Sequence, residues 1–297
     1  MFAMIKRIFL FAMVNALILL TINLTFNILV SVLGIRLPVN ESILLFYVFI
    51  GFGGALINLA LSRQIAKWGM QVQVIDPHTS NPAERRLVET VHSLARKAQL
   101  PAMPEVGFYD SPEVNAFATG PTKARSLVAV STGLLQKMDA DAVEGVLGHE
   151  VAHIANGDMV TMTLLQGVVN TLVLVLARMI AQALTSQSDE RQKSIFMQEA
   201  LYYVLQFALS LLGSILINYF SRLREYRADA GGARLAGRER MLAGLKSLRN
   251  VYGQIDEEQQ AVATLKISGH SGSTLAALFS THPPLEERIR RLETQAL

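Results

Sequence analysis

Two histidines and a glutamate within five residues could form a metal-dependent hydrolytic site. His149 and His153 are four positions apart, so on an α-helix both imidazoles project from the same face and can bind one ion. Glu150 follows His149, where its carboxylate could hold and deprotonate a water molecule without itself binding the metal. Because this spacing also arises by chance in about one chain in a hundred of this length, the surrounding sequence must decide between the two interpretations.

A catalytic zinc site needs a third protein ligand and an open position for water. The chain contains no cysteine, which leaves histidines and carboxylates as ligands. The positions three and six residues beyond His153 are Asn156 and Met159, which excludes the metzincin pattern of a glycine and a third histidine. No acidic residue lies between Asp158 and Asp189, so a thermolysin-type ligand is absent as well.

Glu225 is the candidate third ligand. Glu225 and Asp229 are four residues apart, which places both carboxylates on one face of a helix. Glu225 could then bind the metal, while Asp229 accepts a hydrogen bond from a ligand imidazole and fixes its tautomer. Without the upstream histidines, such a pair would more often be a solvated helix face. Glu199 is an alternative ligand.

The histidine motif requires a helix, and the flanking residues predict one. Residues 141–144, Asp-Ala-Val-Glu, have the form of a capping box at a helix N-terminus. Val143, Val146 and Leu147 are apolar within the helix that this box would open. Residues 156–158, Asn-Gly-Asp, are typical of a helix end.

A helix and a small sheet are predicted ahead of the motif. Residues 81–100 form an amphipathic pattern that begins with Asn-Pro and ends before Pro101. Three short β-rich runs follow and predict a small antiparallel sheet, at residues 105–109, 114–120 and 126–131. A sheet edge could align a peptide substrate as an added strand, and the candidate residues are Asn115, Ala116 and Phe117. Equally, these strands could serve only to cover the helical core.

The composition indicates a membrane protein. Of the 297 residues, 51% are hydrophobic and 17% are charged. The mean hydropathy of +0.33 is unusually high for a water-soluble protein. The net charge is only +3, and no basic stripe alternates with aromatic residues, which argues against a nucleic-acid partner.

Four apolar runs are candidates for membrane spans, at residues 8–35, 42–62, 159–184 and 198–220. A cleaved secretory signal is the alternative for the first run. The last two runs could instead form a helical hairpin in or on the membrane surface, because Arg178 is costly in lipid and the last run is short.

Basic residues predict the orientation of these spans. Lys6, Arg7, Arg63 and Lys67 flank the first two runs on one side, and arginines follow the last run, so the termini and the site are expected in the cytoplasm. His153 and Glu225 lie close to apolar runs, which predicts a metal site near the bilayer surface.

The predicted fold is predominantly α, with about four transmembrane helices and a cytoplasmic zincin-type α+β metalloprotease domain that contains the antiparallel sheet. The expected organisation is a transmembrane hairpin, a cytoplasmic protease part with the motif helix, two transmembrane or membrane-embedded helices, and a second cytoplasmic part with the third ligand and C-terminal helices. Their boundaries are residues 1–62, 63–158, 159–220 and 221–297.

Five segments carry a resemblance to a known family: NAFATG at 115–120, VAVSTGLL at 128–135, GHEVAHIANGD at 148–158, EYRADAGGA at 225–233 and THPPLEERI at 281–289. Together they resemble the membrane zinc metallopeptidases of the HtpX type, relatives of the CAAX prenyl proteases. The arrangement of the apolar runs is similar too, so the resemblance covers nearly the whole chain.

The resemblance implies a zinc-dependent endopeptidase of the bacterial inner membrane. Its active site would face the cytoplasm, and it would cleave damaged or misfolded membrane proteins in quality control and the stress response. The implied partners are protein substrates and the lipid bilayer.

The resemblance also assigns roles to individual residues. It implies one Zn²⁺ per chain, bound by His149, His153 and Glu225. Glu150 would be the catalytic base, and His282 and Arg288 correspond to positions that face the substrate and stabilise the oxyanion. By its sequence alone, His282 could instead cap the C-terminal helix that begins at residues 283–284, Pro-Pro.

Two other functions stay open at the level of sequence. A prenyl-protein protease would cut one defined C-terminal substrate, although four spans are fewer than that branch uses to enclose its chamber. A non-enzymatic membrane adaptor would use zinc for structure or not at all, and Glu150 would then have no chemical role.

Overall fold

The computed structural model describes residues 41–185, 191–260 and 282–294. Its described residues fall into two compact units. Of the described residues, the first unit contains those up to Ile57 and those between Thr163 and Ile217, and the second contains Asn58–Met162 and those from Asn218 onward. The first predicted membrane span, residues 8–35, and the flanking Lys6 and Arg7 lie outside the described residues.

A four-stranded sheet belongs to the second unit, and its order is β1-β2-β4-β3. The strands are β1 (Gln73–Val74), β2 (Glu105–Tyr109), β3 (Ala116–Thr122) and β4 (Arg125–Ser131). β1 and β2 pair antiparallel, as do β3 and β4. The three predicted β-rich runs are therefore confirmed as strands.

The prediction of a wholly antiparallel sheet is wrong at its centre, where β2 and β4 run parallel. Glu105 lies opposite Leu127, and the register continues to Tyr109 opposite Ser131. β4 is buried at every position after Arg125, whereas β3 is mostly half-buried. A strand buried on both faces belongs inside a sheet, so β4 takes the central place beside β2 and its hairpin partner β3 is left at the edge.

Helices account for most of the described chain. They are α1 (Glu41–Gly69), α2 (Pro82–Lys97), α3 (Thr132–Lys137), α4 (Ala140–Asn156), α5 (Asp158–Thr185), α6 (Arg191–Ala236), α7 (Arg238–Gln260) and α8 (Leu285–Thr294). The amphipathic helix predicted over residues 81–100 is confirmed as α2. The Asn81 side chain caps this helix by accepting the backbone N–H of Ala83 at 3.0 Å.

α4 carries the histidine motif, and its start differs from the predicted one. The N-cap is Asp139, whose carboxylate accepts the N–H of Ala142 at 2.8 Å, so the capping box predicted at residues 141–144 is wrong by two residues. Asp141 and Glu144 lie inside the helix and pair with Arg240 of α7. The predicted end is confirmed, since Gly157 adopts the left-handed conformation at a φ of 72°.

Two helices of the described chain are long and apolar enough to cross a membrane. They are Asp158–Thr185 and Phe196–Ala236, which contain the predicted third and fourth spans. Large apolar side chains on the second helix are exposed, among them Phe207 and Leu212. The predicted second span, residues 42–62, lies within α1, whose 29 residues are enough to cross a bilayer, and the total of four spans stays a prediction.

Arg178, the costly charge in the third span, has partners within the first unit. Its guanidinium forms an ion pair with Glu199 of α6 and lies 5.6 Å from the centre of the Tyr202 ring. A paired charge is far cheaper to hold away from water than a lone one. Among the described residues, the group that could hold a metal ion consists of His149, His153 and Glu225 and does not include the alternative ligand Glu199.

In the second unit, α4 lies close to α6 and α7 because glycines without side chains occupy the points of contact. A Cβ on Gly145 would lie 2.0 Å from the carbonyl oxygen of Arg240. A Cβ on Gly232 would lie 2.9 Å from the backbone nitrogen of His149. Since real Cβ atoms do not approach that closely, both helix contacts require glycine.

Replacing Gly232 by valine is expected to destabilise the second unit by about 1–3 kcal/mol, because the added side chain must push α6 away from α4. Thermal unfolding of the full chain in detergent measures the change. Arg234→Ala is the matched control, since Arg234 is exposed on the same helix and its loss should change stability by about 0.5 kcal/mol or less. A Gly232→Val protein as stable as Arg234→Ala would contradict the close contact.

Candidate metal centre

Three buried side chains converge within the second unit. His149 and His153 come from α4 and Glu225 comes from α6, and one ligand atom from each lies within 4.8 Å of the other two. Their exposed fractions are 7%, 8% and 1%. Two imidazole nitrogens and a carboxylate oxygen, brought together away from solvent, could hold a metal ion.

The separations between these atoms are close to those around a tetrahedral ion. Nε2 of His149 and Nε2 of His153 are 3.0 Å apart. Oε2 of Glu225 lies 3.4 Å from Nε2 of His149, and Oε1 of Glu225 lies 3.3 Å from Nε2 of His153. Ligand atoms about 2.1 Å from a tetrahedral zinc would lie about 3.4 Å apart. Since each imidazole approaches a different carboxylate oxygen, the Glu225 carboxylate would have to turn to present one oxygen to the ion.

Asp229 orients the first histidine. Its Oδ1 atom lies 2.9 Å from Nδ1 of His149, which leaves Nε2 directed at Glu225. Burial lowers the pKa of His149, but the hydrogen bonds to Asp229 and Glu225 outweigh burial and raise it to about 9. The surrounding carboxylates therefore favour positive charge at this position, which a metal ion bound to the neutral imidazole would supply in place of the second proton.

Asp158 orients the second histidine, His153. The sequence analysis did not identify this role. Its Oδ2 atom lies 2.7 Å from Nδ1 of His153, directly after the Gly157 helix end. Asp158 is itself buried. The signal was available in the sequence, because a carboxylate five residues after His153 and beyond a glycine turn can fold back on that side chain.

Glu225 lies among cationic and hydrogen-bonding groups. Burial raises the pKa of its carboxyl, but hydrogen bonds from His149, His153 and His282 outweigh burial and hold that pKa far below its usual range. Nη2 of Arg224 also lies 3.2 Å from Oε1. Glu225 is thus fully ionised, which is the state that a metal ligand needs.

The C-terminal helix brings two further predicted residues to the same place. His282, just before α8, has its Nδ1 atom 2.9 Å from Oε2 of Glu225, although its side chain is 63% exposed. Arg288 is only 6% exposed and donates from Nε and Nη2 to the two Asp229 oxygens, at 2.8 and 2.6 Å. These bonds join α8 to the Asp229 that orients His149.

α8 is held by an apolar face. Leu285, Ile289 and Leu292 pack against buried residues of α6 and α7, including Ala233 and Leu245. Arg291 adds a cation–π contact, with its guanidinium carbon 3.7 Å from the centre of the Tyr226 ring. The packing explains how a segment more than fifty residues from Glu225 reaches the site.

A cavity of about 810 Å³ opens on the metal-binding group. His149, Glu150 and Glu225 line it together with His282 and Arg288. Glu150 is therefore placed beside the ligands on the accessible side.

Of the three candidate substrate-strand residues, two line the cavity and the third packs against another aromatic ring. Asn115 and Ala116 line the cavity at the start of the edge strand β3. The backbone of Asn115 is held by Ser131, whose N–H donates to the Asn115 carbonyl at 2.9 Å. Phe117 instead packs against Tyr109, with ring centres 5.8 Å apart, so the structure does not bring its side chain to the cavity lining.

A helix with two histidines and an intervening glutamate, a third ligand on a separate helix and an adjoining cavity define a metallopeptidase-type site. The sequence profile of peptidase family M48 matches residues 81–296. The chain belongs to peptidase family M48.

Curated relatives support the same conclusion over the whole chain. It is 50% identical to a Protease HtpX homolog of Bacillus licheniformis over 299 residues, covering 98% of this chain and 99% of the relative. It is 49% identical to a homolog of the same name from Bacillus subtilis (strain 168), covering 98% of this chain and all of the relative. Protease HtpX of Shewanella sp. (strain MR-4) is 48% identical with the same coverage.

A solved structure shares the fold. The crystal structure of S. mikatae Ste24p matches with a TM-score of 0.63 and 17% sequence identity. The match covers 95% of this chain but 66% of the Ste24p chain. At that identity the likeness concerns the fold alone.

Replacing Asp158 by asparagine should weaken metal binding by about 10- to 100-fold, because His153 loses the carboxylate that fixes its tautomer and raises its basicity. Competition with a chromophoric chelator for Zn²⁺ measures the affinity. Asp139→Asn is the matched control at the other end of α4, since asparagine caps a helix as well as aspartate does. Equal zinc affinity in the two variants would show that Asp158 does not support the site.

Proposed function

We propose that the protein is a zinc-dependent, membrane-integrated endopeptidase that cleaves damaged or misfolded membrane proteins. The observation that carries this proposal is the convergence of His149, His153 and Glu225, of which His149 and Glu225 line a cavity that Glu150 also lines. Membership of a peptidase family and relatives named Protease HtpX support proteolysis. The donor set of two imidazoles and one carboxylate supports zinc, one ion per chain.

Glu150 is the proposed catalytic base. When bound, zinc would polarise the scissile carbonyl and lower the pKa of a water molecule. Glu150 accepts the proton from the attacking water at its carboxylate and then donates that proton to the leaving nitrogen. The carboxylate lies on α4 immediately after the ligand His149, so one rigid helix sets the positions of both groups.

His282 and Arg288 are proposed to stabilise the oxyanion that develops on the scissile carbonyl. Both line the cavity and both approach Oε2 of Glu225, at 2.9 Å for His282 and 3.7 Å for Arg288. His282 is exposed enough to meet a substrate. The buried guanidinium of Arg288 contributes positive charge beside Glu225. Its ion pair with Asp229 fixes the position of that guanidinium.

The start of β3 is the proposed place for the substrate backbone. Asn115 and Ala116 line the cavity at the edge of the sheet, where an extended peptide could add as a further strand. Phe117 would then support this edge from the opposite face through its contact with Tyr109.

We propose that the protein lies in a bacterial inner membrane as a multi-pass protein, with its active site and both termini in the cytoplasm. The two long apolar helices support membrane integration, and Arg222, Arg224 and Arg227 after the last apolar run support a cytoplasmic site by the positive-inside bias. The proposed organisation has four parts, a transmembrane hairpin, a protease part with α4, two membrane helices and a second protease part, bounded at residues 1–62, 63–158, 159–220 and 221–297.

A structural zinc site in a non-enzymatic adaptor has less support. Such a site would be closed by four protein ligands. Among the residues that the structure describes, the metal-binding group has three members, and it borders a cavity.

Glu150→Gln should leave zinc bound and reduce peptide hydrolysis by about 10²- to 10⁴-fold, the usual contribution of a general base. Cleavage of casein by the detergent-purified protein and its zinc content are measured on the same sample. Glu144→Gln is the matched control, because Glu144 is on the same helix but pairs with Arg240 away from the cavity. Wild-type activity in Glu150→Gln would refute the assigned base.

Glu225→Ala should lose zinc during purification, because two histidines alone leave the ion with one protein ligand fewer. Elemental analysis measures the metal, and circular dichroism checks that the helices persist. Glu239→Ala, at an exposed position of α7, is the control and should keep a full complement. A stoichiometric zinc content in Glu225→Ala would show that a residue other than Glu225 is the third ligand.

A further inference from the structure

We infer that Ser131 is a positioning residue for substrate binding, because it holds the backbone of Asn115 where the edge strand β3 meets the cavity. Ser131 is the last residue of β4 and is fully buried, so it acts through Asn115 and does not touch a substrate itself. The inference rests on the proposed peptidase function and deepens it by assigning the residue that sets the substrate-binding edge.

The Ser131 hydroxyl uses its full hydrogen-bonding capacity. It accepts the backbone N–H of Asn115 at 3.1 Å and that of Leu134 at 3.0 Å. It donates its own hydrogen to the backbone carbonyl of Glu113 at 2.6 Å. A hydroxyl has one hydrogen to donate and two lone pairs that accept, so these three bonds satisfy it completely. One side chain therefore ties together the approach to β3, the end of β4 and the first turn of α3.

The hydroxyl takes the place of a backbone acceptor in the pairing of β3 with β4. In a regular antiparallel pair, Asn115 and Ser131 would exchange two backbone hydrogen bonds. The Ser131 N–H does donate to the Asn115 carbonyl, at 2.9 Å. The Asn115 N–H instead donates to the Ser131 hydroxyl, because Ser131 is also the N-cap of α3, a position whose carbonyl is turned into the helix.

The residues that follow Ser131 fix the rest of the segment ahead of β3. The N–H of Gly133 donates to the Ser111 carbonyl at 2.8 Å, and the Ser111 N–H donates to the Thr132 hydroxyl at 3.1 Å. A Cβ on Gly133 would lie 2.4 Å from the carbonyl oxygen of Pro112, so this close contact requires glycine. The segment that presents Asn115 to the cavity is therefore held at several points.

This bonding decides which backbone groups of β3 face the open edge of the sheet. Successive residues of a strand direct their N–H and C=O groups to opposite sides. Both groups of Asn115 face β4, so both groups of Ala116, which lies opposite Val130, face away from β4. β3 is an edge strand, and Ala116 lines the cavity together with Glu150. A substrate strand that pairs with Ala116 would thus lie at the cavity that holds the proposed base.

Loss of the Ser131 hydroxyl should therefore weaken substrate binding more than the chemical step. The N–H of Asn115 and the carbonyl of Glu113 would lose their partner, and the chain must turn to find others. That turn moves the outward groups of Ala116, which the bound substrate uses in the ground state and in the transition state alike. The metal-binding group lies on α4 and α6, away from this change.

The test compares variants of the full-length, zinc-loaded protein in detergent, with a peptide substrate. Ser131→Ala should raise KM by about 10- to 100-fold and leave kcat within about threefold. Zinc content should be unchanged, and so should inhibition by acetohydroxamate, a small chelator that binds the metal without needing the strand. Ser131→Thr keeps the hydroxyl and should restore KM towards the wild-type value.

Ser126→Ala is the matched control. Ser126 lies five residues earlier on the same strand and is 2% exposed, and its hydroxyl donates to the Lys123 carbonyl at 3.4 Å. It does not line the cavity. This variant removes the same group from an equally buried position and should keep the wild-type KM.

A second measurement uses the wild-type protein alone, and it decides the matter if Ser131→Ala does not fold. Single backbone N-methyl groups are placed along the peptide at every bond except the one that is cut. Each methyl group removes one N–H donor, so the peptide that can no longer donate to the Ala116 carbonyl should show a KM raised by about tenfold.

Two results would overturn the role of Ser131. One is a KM in Ser131→Ala equal to that of Ser126→Ala, including the case in which zinc content or kcat falls instead. The other is a wild-type KM that no N-methyl group changes. Both leave the proposed peptidase function standing. Absence of any zinc-dependent cleavage by the wild-type protein would instead refute the proposed function, and this inference with it.

Discussion

The buried carboxylate of Glu225 sets the main physical constraint on this structure. A carboxylate with 1% of its surface exposed is stable only if cations or strong donors surround it. Three imidazoles and two guanidinium groups do so, from α4, α6 and the segment around α8. These groups stabilise the ionised carboxylate of Glu225. The same arrangement brings two imidazole nitrogens and a carboxylate oxygen close together.

The rest of the second unit brings these groups together. Glycines allow α4 to lie against α6 and α7. The apolar face of α8 packs against α6 and α7, which places Arg288 in contact with Asp229. A second carboxylate contacts Nδ1 of each histidine and fixes the orientation of its ring. Asp229 does so for His149, and Asp158 does so for His153. The histidines are thus oriented before any ion is added, which lowers the cost of binding one.

Much of this arrangement could be predicted from local sequence. Helix spacing predicted that His149 and His153 share a face, and the pairing of Glu225 with Asp229 followed from the same periodicity. Local patterns also predicted the three strands and the end of α4 at Gly157. These features depend on residues within one or two turns of each other, where periodicity and turn chemistry act directly.

What depends on distant contacts was harder to predict. The parallel pairing of β2 with β4 is decided by which strand is buried on both faces, and the short-range pattern did not distinguish β4 from β3. Asp139 caps α4, although it is Asp141 that has the capping-box spacing to Glu144. Arg288 reaches Asp229 across 59 residues, and Arg178 pairs with Glu199 across 21, separations that no local pattern encodes.

Anomalous diffraction at the zinc absorption edge, from crystals of the zinc-loaded protein, shows directly whether these three side chains bind the ion. One anomalous peak is expected, about 2.1 Å from Nε2 of His149, Nε2 of His153 and a carboxylate oxygen of Glu225. A principal peak coordinated by other residues, with these three side chains still clustered and no density between them, would contradict it.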